Sequence, residues 1–206
     1  MLKKNLPAVL LVIILLSVYA IYSFGFSGLL YYDDFRPLGA LEQVKDFPSA
    51  MHYVFNETSG PLGRPISMLS FLLNINDWNN DNLSGFFRFN TIIHLLNGLL
   101  VYLISLKLFN LIYLNIERNR WLALSVCSLW VVSPLLISTQ LIAIQRMTSL
   151  SGLFVYVGLL GYLKGLEIQR YNEKKGLITQ FFSIFICTLL AMFSKENGIL
   201  LPVFVL

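Results

Sequence analysis

The chain contains several long apolar stretches without charged residues, and these constrain its fold more than any other feature. The first charge-free stretch runs from residue 5 to residue 32, with its apolar core at residues 6–24. A helix needs about 20 such residues to cross the hydrocarbon core of a bilayer. A second apolar stretch, residues 89–116, is interrupted only by His94 and Lys107, and uncharged stretches follow at residues 121–145, 147–163 and 176–194. The pattern predicts five membrane-spanning helices.

The composition agrees with a membrane protein. Hydrophobic residues make up 56% of the 206 residues and charged residues 13%, whereas soluble domains average about 45–50% and about 25%. A soluble enzyme, a disordered chain and a disulfide scaffold are therefore excluded. A sixth apolar stretch, residues 197–206, is too short to cross a bilayer. We therefore predict an all-α integral membrane protein with about six transmembrane helices, the last one truncated, in which residues 1–206 are one module and a fragment of a longer protein.

The basic residues predict the orientation of these helices. Cytoplasmic segments of membrane proteins are enriched in lysine and arginine. With the N-terminus in the cytoplasm, nine basic residues lie inside: Lys3, Lys4, Lys107, Arg118, Arg120, Lys164, Arg170, Lys174 and Lys175. We attribute the net charge of +4 to these cytoplasmic segments and not to a nucleic-acid binding surface. The predicted partner is therefore the bilayer, and nucleic acid is not predicted as a partner.

Residues 25–88 form the large hydrophilic segment between the first two predicted spans, and the orientation places it outside the cytoplasm. It contains four prolines and a polar run at residues 76–82. Short interfacial helices are expected within it at residues 39–46 and 66–73. The rest is expected to be an extracytoplasmic loop.

Two adjacent carboxylates, Asp33 and Asp34, follow the first span directly. Neighbouring carboxylates repel each other and lie here near a low-dielectric medium, and both effects raise the pKa of a carboxyl group toward that of a general base. The alternative interpretation is a solvated acidic start to the loop.

Two arginines are candidate anion-binding groups. Arg64 lies in a Gly-Arg-Pro step late in the loop, and Arg146 separates two apolar stretches. A guanidinium can bind a phosphate through two hydrogen bonds. Arg146 needs an anion at the membrane boundary, and the candidates are the two aspartates, Glu196 or a lipid phosphate. For Arg64 the alternative is a surface arginine ahead of an interfacial helix.

Further polar residues lie in or next to the spans. His94 and Asn90 share one face of the second predicted span, where they either line a site or form a helix–helix hydrogen bond. Lys195 and Glu196 join the fifth and sixth stretches and either form a loop ion pair or line the same cavity as the aspartates. All these residues are expected on the side of the membrane that carries the large loop, which predicts one polar site at that boundary.

The order of these motifs resembles the membrane module of the GT-C glycosyltransferases. The acidic pair is followed by the Arg-Pro step, an Asn-Thr-x-x-His helix at residues 90–94, Ser-Pro-Leu, Gln-Arg-Met-Thr-Ser and Ser-Lys-Glu-Asn-Gly at residues 194–198. The chain is most similar to the tetratricopeptide-bearing transmembrane O-mannosyltransferases and their bacterial relatives in protein and pilin glycosylation. The Gln-Arg-Met-Thr-Ser form resembles the bacterial members, which implies a bacterial inner membrane.

The resemblance implies transfer of a sugar from a polyprenyl-phosphate carrier to a hydroxyl of a protein or glycan acceptor, with inversion at the anomeric carbon. One of Asp33 and Asp34 would be the base. Arg146, Arg64 and Lys195 would stabilise the leaving phosphate, with Arg146 favoured. No cofactor and no metal ligands are predicted, although some members of the superfamily use a divalent metal.

Two alternatives remain beside this prediction. One is a non-enzymatic membrane protein, either half of a transporter or an assembly scaffold. A transporter would more naturally place its polar residues near the middle of the membrane. The other is an enzyme of the O-antigen ligase or polymerase type, which usually has its large loop late in the chain.

Overall fold

The computed structural model describes residues 2–56, 60–80 and 82–205. These ranges are helical and contain no β-strand. The α-helices are α1 Leu2–Ser23, α2 Tyr32–Gly39, α3 Phe47–Asn56, α4 Pro65–Leu72, α5 Ile75–Asn79, α6 Ser84–Ile112, α7 Ile116–Val131, α8 Ile137–Leu141, α9 Arg146–Gln169 and α10 Glu173–Ser194. The 3-10 helices are Ala40–Gln43, Pro134–Leu136, Ala143–Gln145 and Glu196–Val205.

Four helical segments of the described ranges are long and apolar enough to cross a bilayer: Asn5–Ser23, Ser84–Ile112, Ala143–Gln169 and Glu173–Ser194. A fifth span is obtained if α7 and the segment Pro134–Leu141, which meet at a bend of 50°, are taken as one. The prediction of an all-α protein with several helices that could span a membrane is therefore confirmed. At the predicted sixth span, Glu196–Val205 is a shorter apolar 3-10 helix.

The bend after α7 has a local cause. Pro134 cannot donate a backbone hydrogen bond, and it disfavours helical geometry at the residue before it. Ser133 accordingly has φ −58° and ψ 123°, and α7 ends at Val131. The chain then passes through short helical turns to the start of α9. This leaves the carbonyls of residues 140–143 available to side chains from other helices.

Helices α9 and α10 form an antiparallel hairpin with close backbone contact. Small residues at this interface let the two helices approach each other. A Cβ added at Gly158 would lie 2.9 Å from the Cβ of Cys187, and one at Gly165 would lie 2.9 Å from the backbone nitrogen of Gln180. These two glycines therefore set the distance between the helices.

The loop between α1 and α6 folds into a cap with its own buried core. Leu38, Leu41, Met68 and Phe71 are fully buried there, against Phe86 at the start of α6. Of the two short helices expected in the loop, the one at residues 66–73 is confirmed as α4. The one at residues 39–46 is wrong as predicted, because that stretch holds only the last residue of α2 and the 3-10 turn Ala40–Gln43. Helices α2, α3 and α5 complete the cap.

The two ends of the helix bundle differ in character. At the end that carries the cap, which we call the loop end, Ser67 Oγ of α4 donates a 2.8 Å hydrogen bond to the carbonyl of Ser194 at the end of α10. At the opposite end, which we call the basic end, Asn119 Nδ2 of α7 donates to the carbonyl of Tyr113 at the end of α6. The basic end has these charged residues with described side chains: Lys107, Arg118, Arg120, Lys164, Arg170, Lys174, Lys175, Glu117, Glu167 and Glu173.

Candidate active site

A cavity of about 800 Å³ lies at the loop end, between the cap and the ends of the long helices. Its volume is within the range of small-molecule sites, about 300–1,000 Å³. Its walls come from α2, from the turn before α4, from the start of α9 and from the residue after α10. The lining residues are Tyr32, Asp33, Phe35, Arg36, Pro37, Arg64, Ile144, Gln145, Met147 and Lys195.

The structure separates the two adjacent aspartates. Asp34 is fully buried. Its Oδ2 accepts a 2.8 Å hydrogen bond from the backbone nitrogen of Tyr31, and its Oδ1 accepts a 2.7 Å bond from that of Ile144. Asp33 is exposed and lines the cavity. Consecutive residues of a helix point about 100° apart, so one aspartate ties α2 to the 3-10 helix before α9 while the other faces the cavity.

Burial is also the main influence on the pKa of Asp34. Desolvation of the carboxylate raises this pKa, and the backbone donors from Tyr31, Ile144 and Ala143 oppose the shift without cancelling it. The charge of Asp33 makes the smallest contribution. The repulsion between neighbouring carboxylates is therefore a minor effect at Asp34, and burial dominates.

Arg64 faces the cavity in a fixed orientation. Its Nη2 lies 2.9 Å from Glu196 Oε2 and its Nε lies 3.1 Å from Glu196 Oε1, a two-point ion pair between the cap and the end of α10. Nη1 also donates to the sulfur of Met147 at 3.2 Å. Gly63 and Arg64 both have left-handed backbone conformations, with φ 71° and φ 50°. Because a non-glycine residue in that region is strained, the surrounding contacts must hold the turn in place.

Lys195 is a further cation of the cavity, which Arg36 and Arg64 also line. Its Nζ donates a 2.7 Å hydrogen bond to Thr148 Oγ1 on α9. Desolvation and the nearby charge of Arg64 lower the pKa of Lys195, and Glu196 only partly offsets them. Desolvation alone would raise the pKa of Glu196, but its hydrogen bonds from Arg64 and the two nearby positive charges lower it. Lys195 and Glu196 are thus one cluster with Arg64, and Lys195 is on the cavity wall.

Arg146 is fully buried and lies behind the cavity wall. Its Nε donates to Asn90 Oδ1 at 2.9 Å, its Nη1 to the carbonyl of Ser70 at 2.9 Å and its Nη2 to that of Phe86 at 3.3 Å. The guanidinium carbon also lies 4.5 Å from the ring centroid of Phe89. Carbonyl oxygens and aromatic rings thus surround this cation, where an anion was expected. The donor-binding role predicted for Arg146 does not fit this placement, because its three nitrogen atoms already donate to protein oxygens.

Asn90 supports the structure around the cavity, whereas His94 connects two helices away from it. Asn90 Nδ2 donates to the carbonyls of Ile142 and Ala143, at 3.1 and 3.3 Å, and so holds the chain just before α9. His94 is buried deeper in the bundle, where Nε2 donates to the carbonyl of Val131 at 2.9 Å. The alternative interpretation of a helix–helix hydrogen bond therefore describes the contact that His94 makes.

The structure brings Asp33, Arg64 and Lys195 together on one cavity, with Glu196 beside them. Sequence reasoning missed other residues of the cavity and its surroundings, among them Tyr32, Phe35, Gln145, Met147 and Thr148. All of them are next to, or two residues from, a residue that was predicted. In a helix, the side chains next to a buried residue point in other directions. If Arg146 had been known to be buried, its neighbours would have been expected to face the cavity.

In the part of the chain that the structure describes, no three His, Cys, Asp or Glu side chains are grouped closely enough to hold a metal ion. Whether the protein uses a cofactor stays a prediction. Comparisons with protein-family models, with curated proteins and with solved structures found no match to this chain. Its function is therefore inferred from the side chains of this cavity and from the membrane-spanning helices around it.

Proposed function

We propose that the protein is a membrane glycosyltransferase that moves a sugar from a polyprenyl-phosphate carrier to a hydroxyl of a protein or glycan acceptor. One observation carries the proposal: the exposed carboxylate of Asp33 shares a cavity with the cations of Arg64 and Lys195, at one end of a bundle of apolar helices. A base and an anion-binding group on one cavity are what this transfer requires.

The reaction is a single displacement. Asp33 accepts the proton of the acceptor hydroxyl while the acceptor oxygen forms a bond to the anomeric carbon of the sugar. The bond between that carbon and the phosphate oxygen breaks, and its electron pair leaves with the polyprenyl phosphate. Attack from the side opposite the phosphate inverts the anomeric centre. The resulting negative charge is stabilised by Lys195 and Arg64.

The remaining polar residues position the cavity wall. Asp34 binds the backbone of Ile144 from the side of α2, and Asn90 binds the carbonyls of Ile142 and Ala143 from the side of α6. Arg146 bonds Asn90 in turn. These contacts hold residues 142–147 between α2 and α6, and Gln145 and Met147 of that segment face the cavity. Catalytic sites require such fixed positions, because small displacements of reacting groups cost large factors in rate.

The proposal extends to the placement of the protein in the membrane. The N-terminus is cytoplasmic and the cavity is extracytoplasmic, in a bacterial inner membrane, with the large loop forming the first extracytoplasmic segment of a GT-C-type module of about six spans. The excess of basic residues at the opposite end of the bundle supports this orientation. A cavity at one boundary also favours an enzyme over half of a transporter, whose polar site would lie near mid-membrane.

The proposal is tested with membranes from bacteria that produce the full chain. Polyprenyl-phosphate sugars extracted from the host are added as donors, together with a surface protein of the host as acceptor. We expect the acceptor mass to increase by one sugar residue, and the increase to be absent with membranes lacking the protein. If no mass increase occurs with any donor fraction, the non-enzymatic alternatives are favoured. Transfer to a lipid-linked or lipopolysaccharide glycan alone would favour the ligase type.

A pH prediction follows from Lys195. Because its pKa is lowered, its ammonium loses the proton at a lower pH than an ordinary lysine does. If the ammonium binds the donor phosphate, KM for the donor should begin to rise before the pH reaches the ordinary pKa of lysine. Lys195→Arg should move that rise to higher pH, because a guanidinium stays protonated. Donor KM measured from neutral pH upward checks this, and an identical alkaline profile in both proteins would contradict it.

A further inference from the structure

The basic end has a concave feature of its own, a groove of about 200 Å³ between α6 and α9. It lies at the opposite end of the bundle from the cavity described above. Three leucines, Leu111, Leu163 and Leu166, form its apolar lining. The other lining residues carry charge; they are Lys107, Glu167 and Arg170. The groove is therefore both apolar and charged.

The charges of this groove are unbalanced. Lys107 Nζ lies 2.5 Å from Glu167 Oε1, and Lys164 Nζ lies 3.2 Å from Glu167 Oε2. One carboxylate is thus shared by two ammonium groups, and Arg170 adds a third positive charge. Together the four side chains carry a net charge of +2. Charges in a membrane-spanning segment are costly unless they are compensated.

The depth of these groups matches the level of lipid headgroups. Lys107 lies five residues before Ile112, the last residue of α6. At 1.5 Å per residue it is about 8 Å from the end of the helix. A lysine at this depth can extend its ammonium toward the interface. The excess positive charge is therefore within reach of the phosphate layer of the bilayer.

We propose that this groove binds one anionic phospholipid, with its phosphate between Lys107 and Arg170 and its acyl chains against the leucines. Basic pockets between membrane helices on the cytoplasmic side bind anionic headgroups. A phospholipid fits both features of the groove, because its phosphate balances the positive charge and its acyl chains cover the leucines. The lipid stabilises the contact between α6 and α9 from the end opposite the cavity, and its binding does not depend on the proposed transfer.

The full chain is purified in detergent and supplied with phosphatidylglycerol and phosphatidylcholine in equal amounts, and retained lipids are counted by native mass spectrometry. We expect one phosphatidylglycerol to be retained in preference to phosphatidylcholine. Lys107→Gln combined with Arg170→Gln should weaken this retention about thirtyfold, because each basic side chain near a bilayer surface contributes about a factor of five. Lys174→Gln combined with Lys175→Gln is the matched control, since it removes two charges from the same end but outside the groove.

A second variant tests the groove without changing its charge. Leu163→Trp fills part of the apolar wall and should also reduce phosphatidylglycerol retention, with thermal unfolding measured on the same samples to show that the fold persists. Equal losses in the groove variant and in the control would overturn the proposal in favour of diffuse attraction to a basic surface. Displacement of the lipid by millimolar inorganic phosphate would overturn it in favour of a simple anion site.

Discussion

Asp33→Asn should lower the rate of sugar transfer by about 10²–10⁴-fold, the usual loss when a general base is removed. The substitution keeps the size of the side chain and removes its ability to accept a proton. Since Asp33 is exposed on the cavity wall, thermal unfolding of the purified protein should hardly change. The measurement is kcat for transfer to the acceptor in membranes, together with the unfolding temperature.

Asp34→Asn is the informative comparison because the two residues are adjacent and chemically identical. An amide has one acceptor oxygen, so it can serve either the nitrogen of Tyr31 or that of Ile144 well, but not both. We expect a clear loss of stability, about 1–3 kcal/mol, and an activity loss that follows the loss of folded protein. Glu42→Gln, an exposed acid of the cap outside the cavity, should leave both readouts unchanged. Full activity of Asp33→Asn, with an inactive but stable Asp34→Asn protein, would assign the base to Asp34.

Arg146→Ala should be among the most destabilising substitutions in the chain. It removes the donors for Asn90 Oδ1 and for the carbonyls of Ser70 and Phe86, and it empties the space beside the ring of Phe89. Truncation of a large buried side chain costs about 2–5 kcal/mol, and each buried acceptor left without a donor adds about 1–3 kcal/mol. We expect a loss of about 4 kcal/mol or more, measured by unfolding in mixed micelles.

Arg146→Lys should restore little of this stability, because one ammonium cannot reach three acceptors that a planar guanidinium spans. Arg118→Ala is the control: Arg118 is exposed at the basic end, where it lies over the ring of Tyr113. If the Arg146→Ala protein instead unfolds like the wild type but no longer binds the polyprenyl-phosphate sugar, the guanidinium of Arg146 acts on the phosphate of that substrate, as the sequence alone suggested.

The hydrophobic pattern was sufficient to place the long helices. In the interior of a bilayer no water is present to bind the backbone N–H and C=O groups, and a helix pairs these groups within its own segment. An uncharged stretch of about 20 residues is therefore expected to form a helix. Each of the five predicted stretches overlaps a long helix of the structure, although α7 ends at Val131, shortly before Pro134. These features depend on residues close together in the chain.

The cap was largely beyond prediction from the sequence. Its helices are only five to ten residues long, and short helices of this kind are not stable alone. They form because Leu38, Leu41 and Phe71 are buried together against the start of α6. One expected helix was found as α4, where Pro65 occupies the first turn and favours a helix start.

The sequence by itself determined which polar residues lie near one end of the bundle, because the spans place them there. Only the tertiary structure decided which of them face the cavity. Asp34 does not face the cavity, because it accepts a hydrogen bond from the backbone of Ile144, 110 residues away. Arg146 does not face it either, because it donates hydrogen bonds to the carbonyls of Ser70 and Phe86. Asp33, one residue before Asp34, remains exposed. The physical reason is that burial and hydrogen bonding depend on neighbours brought together by folding, and these differ completely between adjacent residues of the same type.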